Sequence, residues 1–119
     1  MSTVMFSSPS YSEWTKVSTN VMGDTFYVDF DRIRKNSGYA YFWKMSDYMT
    51  PNSYGDFSGI LYYQSECGVL RWKVLSDSYF KGQMGTGEKT GGSNKPDKEW
   101  SYPSPNSSSE KVLKTVCGK

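Results

Sequence analysis

Two cysteines, Cys67 and Cys117, carry the most definite chemistry in this chain of 119 residues, which contains no histidine. A catalytic thiol would therefore lack its usual histidine base, and two cysteines so far apart do not have the spacing of a zinc site. The pair instead predicts a disulfide, and because cytosolic proteins rarely keep structural disulfides, it implies an oxidising compartment. Two buried free thiols are the alternative.

The glycine-rich segment 82–90 invites comparison with a phosphate-binding P-loop, G-x-x-x-x-G-K-[ST]. It departs from that pattern because Glu88 stands between Gly87 and Lys89. No βαβ pattern surrounds it, and no helix follows whose N-terminus would hold a phosphate. Nucleotide binding is therefore not predicted.

Six carboxylates lie mostly at the ends of predicted strands, where two of them could meet as glycoside hydrolysis requires. Solvation of strand ends and turn capping explain them equally well. We therefore predict no enzyme activity and no catalytic, cofactor-binding or metal residues. A hydrolase or small-ligand pocket between sheet and helix stays open as an alternative, to be decided by a cavity with two facing carboxylates. The six are Asp29, Asp31, Asp47, Asp56, Glu66 and Asp77.

Composition limits the remaining classes of protein. Hydrophobic residues make up 36% of the chain and aromatic residues 17%, so Tyr, Phe and Trp must supply much of the core. A net charge of +2 is too small to indicate nucleic-acid binding. No segment has the roughly 20 apolar residues of a membrane helix.

The expected organisation is a flexible, serine-rich tail over residues 1–12 and one domain over residues 13–119. The first residues lack the basic and apolar regions of a signal peptide. We interpret the sequence as the mature form of an exported protein, in the periplasm or at the cell surface, without its signal peptide. A cytoplasmic location is the alternative.

Alternating residues predict an antiparallel sheet. In segment 39–48 one face carries Tyr39, Tyr41, Trp43 and Met45, and the other carries Ala40, Phe42, Lys44 and Ser46. Aromatics interleaved with Arg34, Lys44, Arg71 and Lys73 could form a stacking platform for single-stranded nucleic acid. We favour the simpler interpretation, in which one aromatic face is core and the basic residues face solvent. The predicted strands are 13–18, 25–30, 39–48, 58–67 and 69–80, with a short edge strand at 100–102.

Residues 81–99 are rich in glycine, proline and charge, and they predict a long surface loop. Loops of this length are commonly functional. The candidate binding residues of this loop are Lys81, Lys89, Lys95, Lys98 and Trp100.

A C-terminal helix is predicted from Ser107 and Glu110, which have the spacing of a capping box. Val112, Leu113, Val116 and Cys117 then form one apolar stripe, and Gly118 suits a helix end. A helix of about ten residues must dock to be stable. The predicted fold class is α+β: a twisted antiparallel sheet of about six strands packed against one C-terminal helix and stapled by the disulfide.

An ordered series of short motifs spans residues 13–117 and resembles the bacterial surface-adhesin protein E family. The resemblance implies an exported protein with an antiparallel sheet, a C-terminal helix and a disulfide between Cys67 and Cys117. The best-studied member of the family binds host proteins such as vitronectin and laminin, but no ligand-binding motif can be matched to this sequence. The series is Glu13-Trp14-Thr15-Lys16-Val17, Phe26-Tyr27-Val28-Asp29, Arg32-Ile33-Arg34-Lys35, Tyr41 and Trp43, Asp47-Tyr48, Glu66-Cys67, Leu75-Ser76-Asp77-Ser78, residues 82–87, Trp100-Ser101-Tyr102-Pro103 and Val116-Cys117.

The sequence therefore predicts an exported, non-enzymatic, adhesin-like module that contacts extracellular or envelope proteins. It also allows a homodimer formed through an unpaired sheet edge. No cofactor and no nucleic acid are expected. The alternative is an intracellular or phage-encoded small binding protein with a single-stranded nucleic acid or protein partner.

Overall fold

The computed structural model describes residues 13–119, and the predicted tail over residues 1–12 lies outside them. Seven strands and one α-helix make up the described chain, with 3₁₀ turns at Phe30–Arg32 and Gln83–Gly85. The strands are β1 Thr15–Thr19, β2 Thr25–Val28, β3 Arg34–Asn36, β4 Tyr39–Asp47, β5 Ser58–Glu66, β6 Arg71–Phe80 and β7 Lys89–Ser93; the helix is α1 Ser108–Cys117.

All strands belong to one antiparallel sheet, in the order β1-β2-β4-β5-β6-β7, and β3 pairs with β4 beyond the end of β2. This confirms the predicted α+β fold. The sheet also contains two strands, β3 and β7, that the sequence periodicity did not predict. β3 lies between the predicted strands 25–30 and 39–48, where no strand was expected. β7 lies inside segment 81–99, so the prediction of a long loop there was wrong. The predicted edge strand at 100–102 is reduced to one bridge, between Ser101 and Trp72.

One face of the sheet, called the inner face, carries the helix. The helix caps as predicted, since the Ser107 hydroxyl accepts a hydrogen bond from the Glu110 backbone N–H at 3.1 Å. The Glu110 carboxylate accepts from the N–H of Asn106 at 3.0 Å, one residue before the cap. Gly118 keeps right-handed backbone angles rather than the left-handed ones of the usual glycine stop. The core comprises Val28, Ala40, Phe42, Tyr63, Trp72, Val112, Leu113 and Val116.

The predicted disulfide between Cys67 and Cys117 is formed, with Cα atoms 5.6 Å apart. It joins the turn after β5 to the last residue of α1, which confirms the prediction that a disulfide ties the C-terminal helix to the sheet. Lys35 of β3 holds the same end of the helix, because its Nζ donates to the carbonyl oxygens of Cys117 at 3.5 Å and Lys119 at 2.8 Å.

The orientation of β4 corrects one prediction. Ala40, Phe42 and Lys44 face the core, whereas Tyr41 and Trp43 lie half-buried on the opposite face, called the outer face. The apolar helix selects the side with Phe42, so Lys44 becomes buried with 7% of its surface exposed. Its Nζ lies 5.0–5.3 Å from the ring centroids of three inner-face aromatics, which accommodate the ammonium group. These rings belong to Phe26, Tyr63 and Trp72.

Candidate binding face

The outer face of the sheet carries a row of aromatic side chains. Strand alternation turns them away from the helix, and the antiparallel register places Trp43 opposite Tyr62 and Tyr41 opposite Gln64. All of the aromatics in the row are half-buried, so their ring edges and faces remain accessible. We call this surface the aromatic face; its aromatic members are Tyr39, Tyr41, Trp43, Tyr62 and Trp100.

The rings of the aromatic face contact one another. The Trp43 and Tyr62 centroids are 4.6 Å apart, and those of Tyr41 and Tyr62 are 6.4 Å apart. Trp100 stacks on Tyr39 with a centroid separation of 6.1 Å and an interplanar angle of 13°. Such contacts add stability beyond burial alone and hold each ring in one orientation.

Cations flank the two tryptophans. The Arg71 guanidinium lies 4.3 Å from the Trp100 centroid, and Lys73 Nζ lies 4.7 Å from it. Arg32 lies over Trp43 at 5.2 Å. These distances fall within the range of cation–π attraction. Three positive groups are thus held against half-buried aromatic rings.

Arg71 is the most connected of these cations. It forms a salt bridge to Glu66 at 2.7 Å and donates a hydrogen bond to the Tyr102 hydroxyl at 3.4 Å. The hydrogen bonds to Tyr102 and Glu66 raise the pKa of Arg71 above its ordinary value. Glu66 balances Arg71, and Asp29 forms an ion pair with Arg32 at 3.0 Å, so these three cations exceed their two carboxylate partners by one positive charge.

The 3₁₀ turn at Gln83–Gly85 closes one end of the outer face. The Ser58 hydroxyl donates to the Gly82 carbonyl at 2.6 Å and accepts from the Gly85 N–H at 2.9 Å. The N–H of Met84 donates to the Asp47 carboxylate at 2.8 Å. This turn covers the sheet around Met45, which is fully buried, and leaves the aromatic face open beside it.

The candidate binding residues predicted from the sequence do not all lie together. Lys81 follows β6 and Lys89 begins β7, and the two are neighbours across this hairpin because the Lys81 N–H donates to the Glu88 carbonyl at 2.9 Å and Lys89 pairs with Phe80. Lys95 and Lys98 follow β7, and all four lysines are exposed. Trp100 alone reaches the aromatic face.

The sequence placed Tyr41 and Trp43 on one face of the predicted strand 39–48 and left open whether that face or the face with Phe42 is the core; it did not single out Tyr62. The structure decides between the two faces, because Phe42 is fully buried on the same side of β4 as Ala40. A strand whose two faces are both aromatic does not itself show which face the helix covers.

The chemistry available at this face is stacking, cation–π contact and hydrogen bonding. Within residues 13–119, no group of three or more His, Cys, Asp or Glu side chains is arranged to hold a metal ion. In the same part of the chain, no helix has the length and apolar character needed to cross a membrane. The fold and face together define an α+β module with one antiparallel sheet, a docked C-terminal helix and an open aromatic face.

A family model for surface-adhesin protein E matches residues 14–118, and the chain belongs to that family. Among solved structures, it resembles crystal form II of Haemophilus influenzae protein E with a TM-score of 0.66 and 16% identity, covering 98% of this chain and 97% of that chain. A second structure of Haemophilus influenzae protein E gives a TM-score of 0.65 and 15% identity over 96% and 94% of the two chains. These likenesses show the shared fold. Comparison with curated proteins gave no match.

Proposed function

We propose that this protein is an exported, non-enzymatic binding module that holds an extended segment of an extracellular or envelope protein against its aromatic face. Membership of a surface-adhesin family supports this proposal, and the disulfide supports an oxidising location outside the cytosol. The observation that carries it is the contact of Arg71 and Lys73 with the half-buried ring of Trp100.

Aromatic and arginine side chains dominate the energetics of protein interfaces because they bury large areas at a small entropic cost. Here the rings rest on the paired strands β4 and β5, so little ordering is needed when a partner binds. Arg32, Arg71 and Lys73 favour a partner segment that carries acidic side chains between apolar ones.

Reversing the charge at position 73 tests this proposal. We expect Lys73→Glu to weaken binding to immobilised laminin or vitronectin by about tenfold or more, because it reverses a charge at the centre of the interface. Surface plasmon resonance at physiological ionic strength measures the affinity. Lys111→Glu is the matched control: it makes the same charge change at an exposed helix position and should alter the affinity by less than about twofold.

Equal losses in the two variants would indicate a general charge effect, and absence of binding to both proteins would contradict the proposal. A second candidate function is the binding of single-stranded nucleic acid, since the same stacked rings and cations suit exposed bases. Quenching of tryptophan fluorescence by an oligonucleotide, decreasing steeply with salt, would support that alternative.

We also propose that β1 pairs with β1 of a second copy to form a homodimer. β1 is one edge of the sheet and contains Thr15, Val17 and Thr19, which suit strand pairing. The opposite edge strand, β7, contains Gly91 and Gly92 and is a poorer template. Sedimentation at micromolar concentration should show a dimer, and monomer alone would refute this arrangement.

A further inference from the structure

A cleft of about 600 Å³ opens on the inner face of the sheet, on the side of β5, β6 and β7. The helix packs mainly over β1, β2 and β4 and leaves this part of the sheet uncovered. We call it the tyrosine cleft; it is lined by Tyr48, Asn52, Tyr54, Asp56, Tyr79, Thr90 and Gly91.

Gly59 lies against two of the lining tyrosines, Tyr48 and Tyr79, although it does not itself line the cleft. It pairs with Ser46 and Tyr79 in the sheet, and a Cβ added to it would lie 2.9 Å from the Tyr79 ring. The same Cβ would lie 3.4 Å from the hydroxyl of Tyr48. The missing side chain therefore lets the Tyr79 ring lie across β5, close to the Tyr48 hydroxyl.

The carboxylate of the cleft already has its hydrogen-bond donors. Asp56 is 4% exposed; one oxygen accepts from the Thr90 hydroxyl and the other from the Asn52 side-chain amide at 3.4 Å. Neither partner is a cation, and no lysine or arginine lines the cleft. The Nζ of Lys81 lies 3.4 Å from the position of a Cβ on Gly55, the residue between Tyr54 and Asp56, but Lys81 is not among the lining residues. The negative charge of Asp56 is therefore not neutralised by an ion pair within the cleft.

The pKa values of two of the cleft tyrosines are raised, mainly by burial. Burial raises the pKa of Tyr48 to about 12, with further contributions from Tyr79, Tyr63, Asp24 and Asp56. Burial followed by the charge of Asp77 also raises the pKa of Tyr79. Both phenols remain neutral at physiological pH, so their ring faces stay available to attract a cation.

We propose that the tyrosine cleft binds a quaternary ammonium group, with the rings of Tyr48, Tyr54 and Tyr79 around the cation and Asp56 supplying the opposite charge. Aromatic rings near a carboxylate are the recognised surroundings for such groups. An anion would be repelled by Asp56. A primary ammonium needs acceptors for three N–H donors, and each Asp56 oxygen already accepts one hydrogen bond, so the two acceptor positions left on the carboxylate cannot satisfy all three. A quaternary ammonium has no N–H, so it makes no such demand.

Three probes of similar size test the proposal on the full chain: choline, its neutral tert-butyl analogue and ethanolamine. We expect choline to shift the backbone amide resonances of Asn52, Thr90 and Gly91 in a saturable manner. The neutral analogue, which has the same shape without the charge, should bind more weakly by about thirtyfold or more, because it loses the attraction of all three rings and of the Asp56 carboxylate. Ethanolamine should also bind more weakly than choline.

Tyr79→Leu should weaken choline binding by about tenfold or more, since it removes the ring that crosses the floor of the cleft. If that variant does not fold, Tyr54→Leu serves the same purpose, because Tyr54 is 83% exposed and its replacement leaves the core intact. Tyr102→Leu is the control, since Tyr102 is 63% exposed and contacts Arg71 on the outer side of the sheet. Its choline affinity should be unchanged.

Equal binding of choline and the neutral analogue, equal effects of the Tyr54 and Tyr102 replacements, or no response to choline would each overturn the proposal. The tyrosine cleft and the aromatic face lie on opposite faces of the sheet. Failure of choline binding therefore leaves the Lys73→Glu experiment unaffected.

Discussion

Replacing Cys67 and Cys117 together with serine is expected to lower the free energy of unfolding by about 4 kcal/mol. The disulfide spans 50 residues of sequence, and closing a loop of that length in the unfolded chain accounts for a loss of this size. Small domains have a net stability of about 5–15 kcal/mol, so the bond contributes a large share.

The loss should be concentrated in the C-terminal helix. α1 has ten residues, too few to be helical alone, and its docking depends on Val112, Leu113 and Val116 and on the two ties at its end. Without the disulfide, Lys35 is the remaining tie to the helix C-terminus. We therefore expect α1 to lose protection from hydrogen exchange before the strands do.

Chemical denaturation gives the free energy of unfolding and thermal unfolding gives the melting temperature of the wild type with and without reductant, and the double serine variant supplies the control. The reduced wild type and the variant should both melt about 10–20 °C below the oxidised protein, for a domain of this size. Reductant should leave the variant unchanged. A loss below about 1 kcal/mol would show that the helix docks without its covalent tie.

The sequence predicted the strands and the helix in which apolar residues recur with a clear period. β4, β5 and β6 are long, alternate clearly and were expected within two residues of their ends, and the helix start at Ser107 followed from capping chemistry. β3 and β7 were missed because all of their residues are exposed. An exposed strand has no buried side and therefore no apolar alternation to detect.

The aromatic face could be predicted only as a set of residue types. β4 is aromatic on both sides, and the choice between Phe42 and Trp43 as the core residue depends on which face the helix covers. That contact joins residues about 70 positions apart in sequence, and local periodicity does not contain it. Trp100 joins the face through the Ser101–Trp72 bridge, which is also a tertiary contact.

The two proposed sites follow from one property of this architecture. A single ten-residue helix cannot cover a sheet of seven strands, so most of the outer face and part of the inner face are left to loops and to solvent. Aromatic side chains suit these half-covered positions because one side of a ring can pack while the other stays accessible. The same composition that supplies the core thus supplies the candidate binding surfaces.

Replacing the buried Lys44 with methionine is expected to stabilise the protein by about 2 kcal/mol at pH 7. Burial lowers the pKa of Lys44 from 10.5 to about 8, which corresponds to about 3 kcal/mol of disfavoured charge at roughly 1.4 kcal/mol per pKa unit. The rings of Phe26, Tyr63 and Trp72 offset part of this cost. Methionine keeps the length of the side chain and removes the charge.

The pH dependence distinguishes this cause from simple repacking. Between about pH 8 and 10, the unfolded chain still binds the Lys44 proton whereas the folded chain has released it, so the stability of the wild type should rise with pH across this window. Below pH 8 both states are protonated and the cost is present in full. The Lys44→Met variant should lack this rise, and its advantage over the wild type should shrink towards pH 10.

Urea denaturation of both proteins at pH 7 and pH 9.5 gives the comparison, and Lys73→Met is the matched control on the outer face. Lys73 is half-buried with its ammonium group over Trp100, so its replacement should change stability by less than about 0.5 kcal/mol and leave the pH slope intact. If Lys44→Met were instead destabilised by more than about 1 kcal/mol, attraction to the three rings would outweigh the cost of burying the charge. Lys44 would then contribute to the stability of the core as a cation, and a rise in stability from pH 8 to 10 would also be absent.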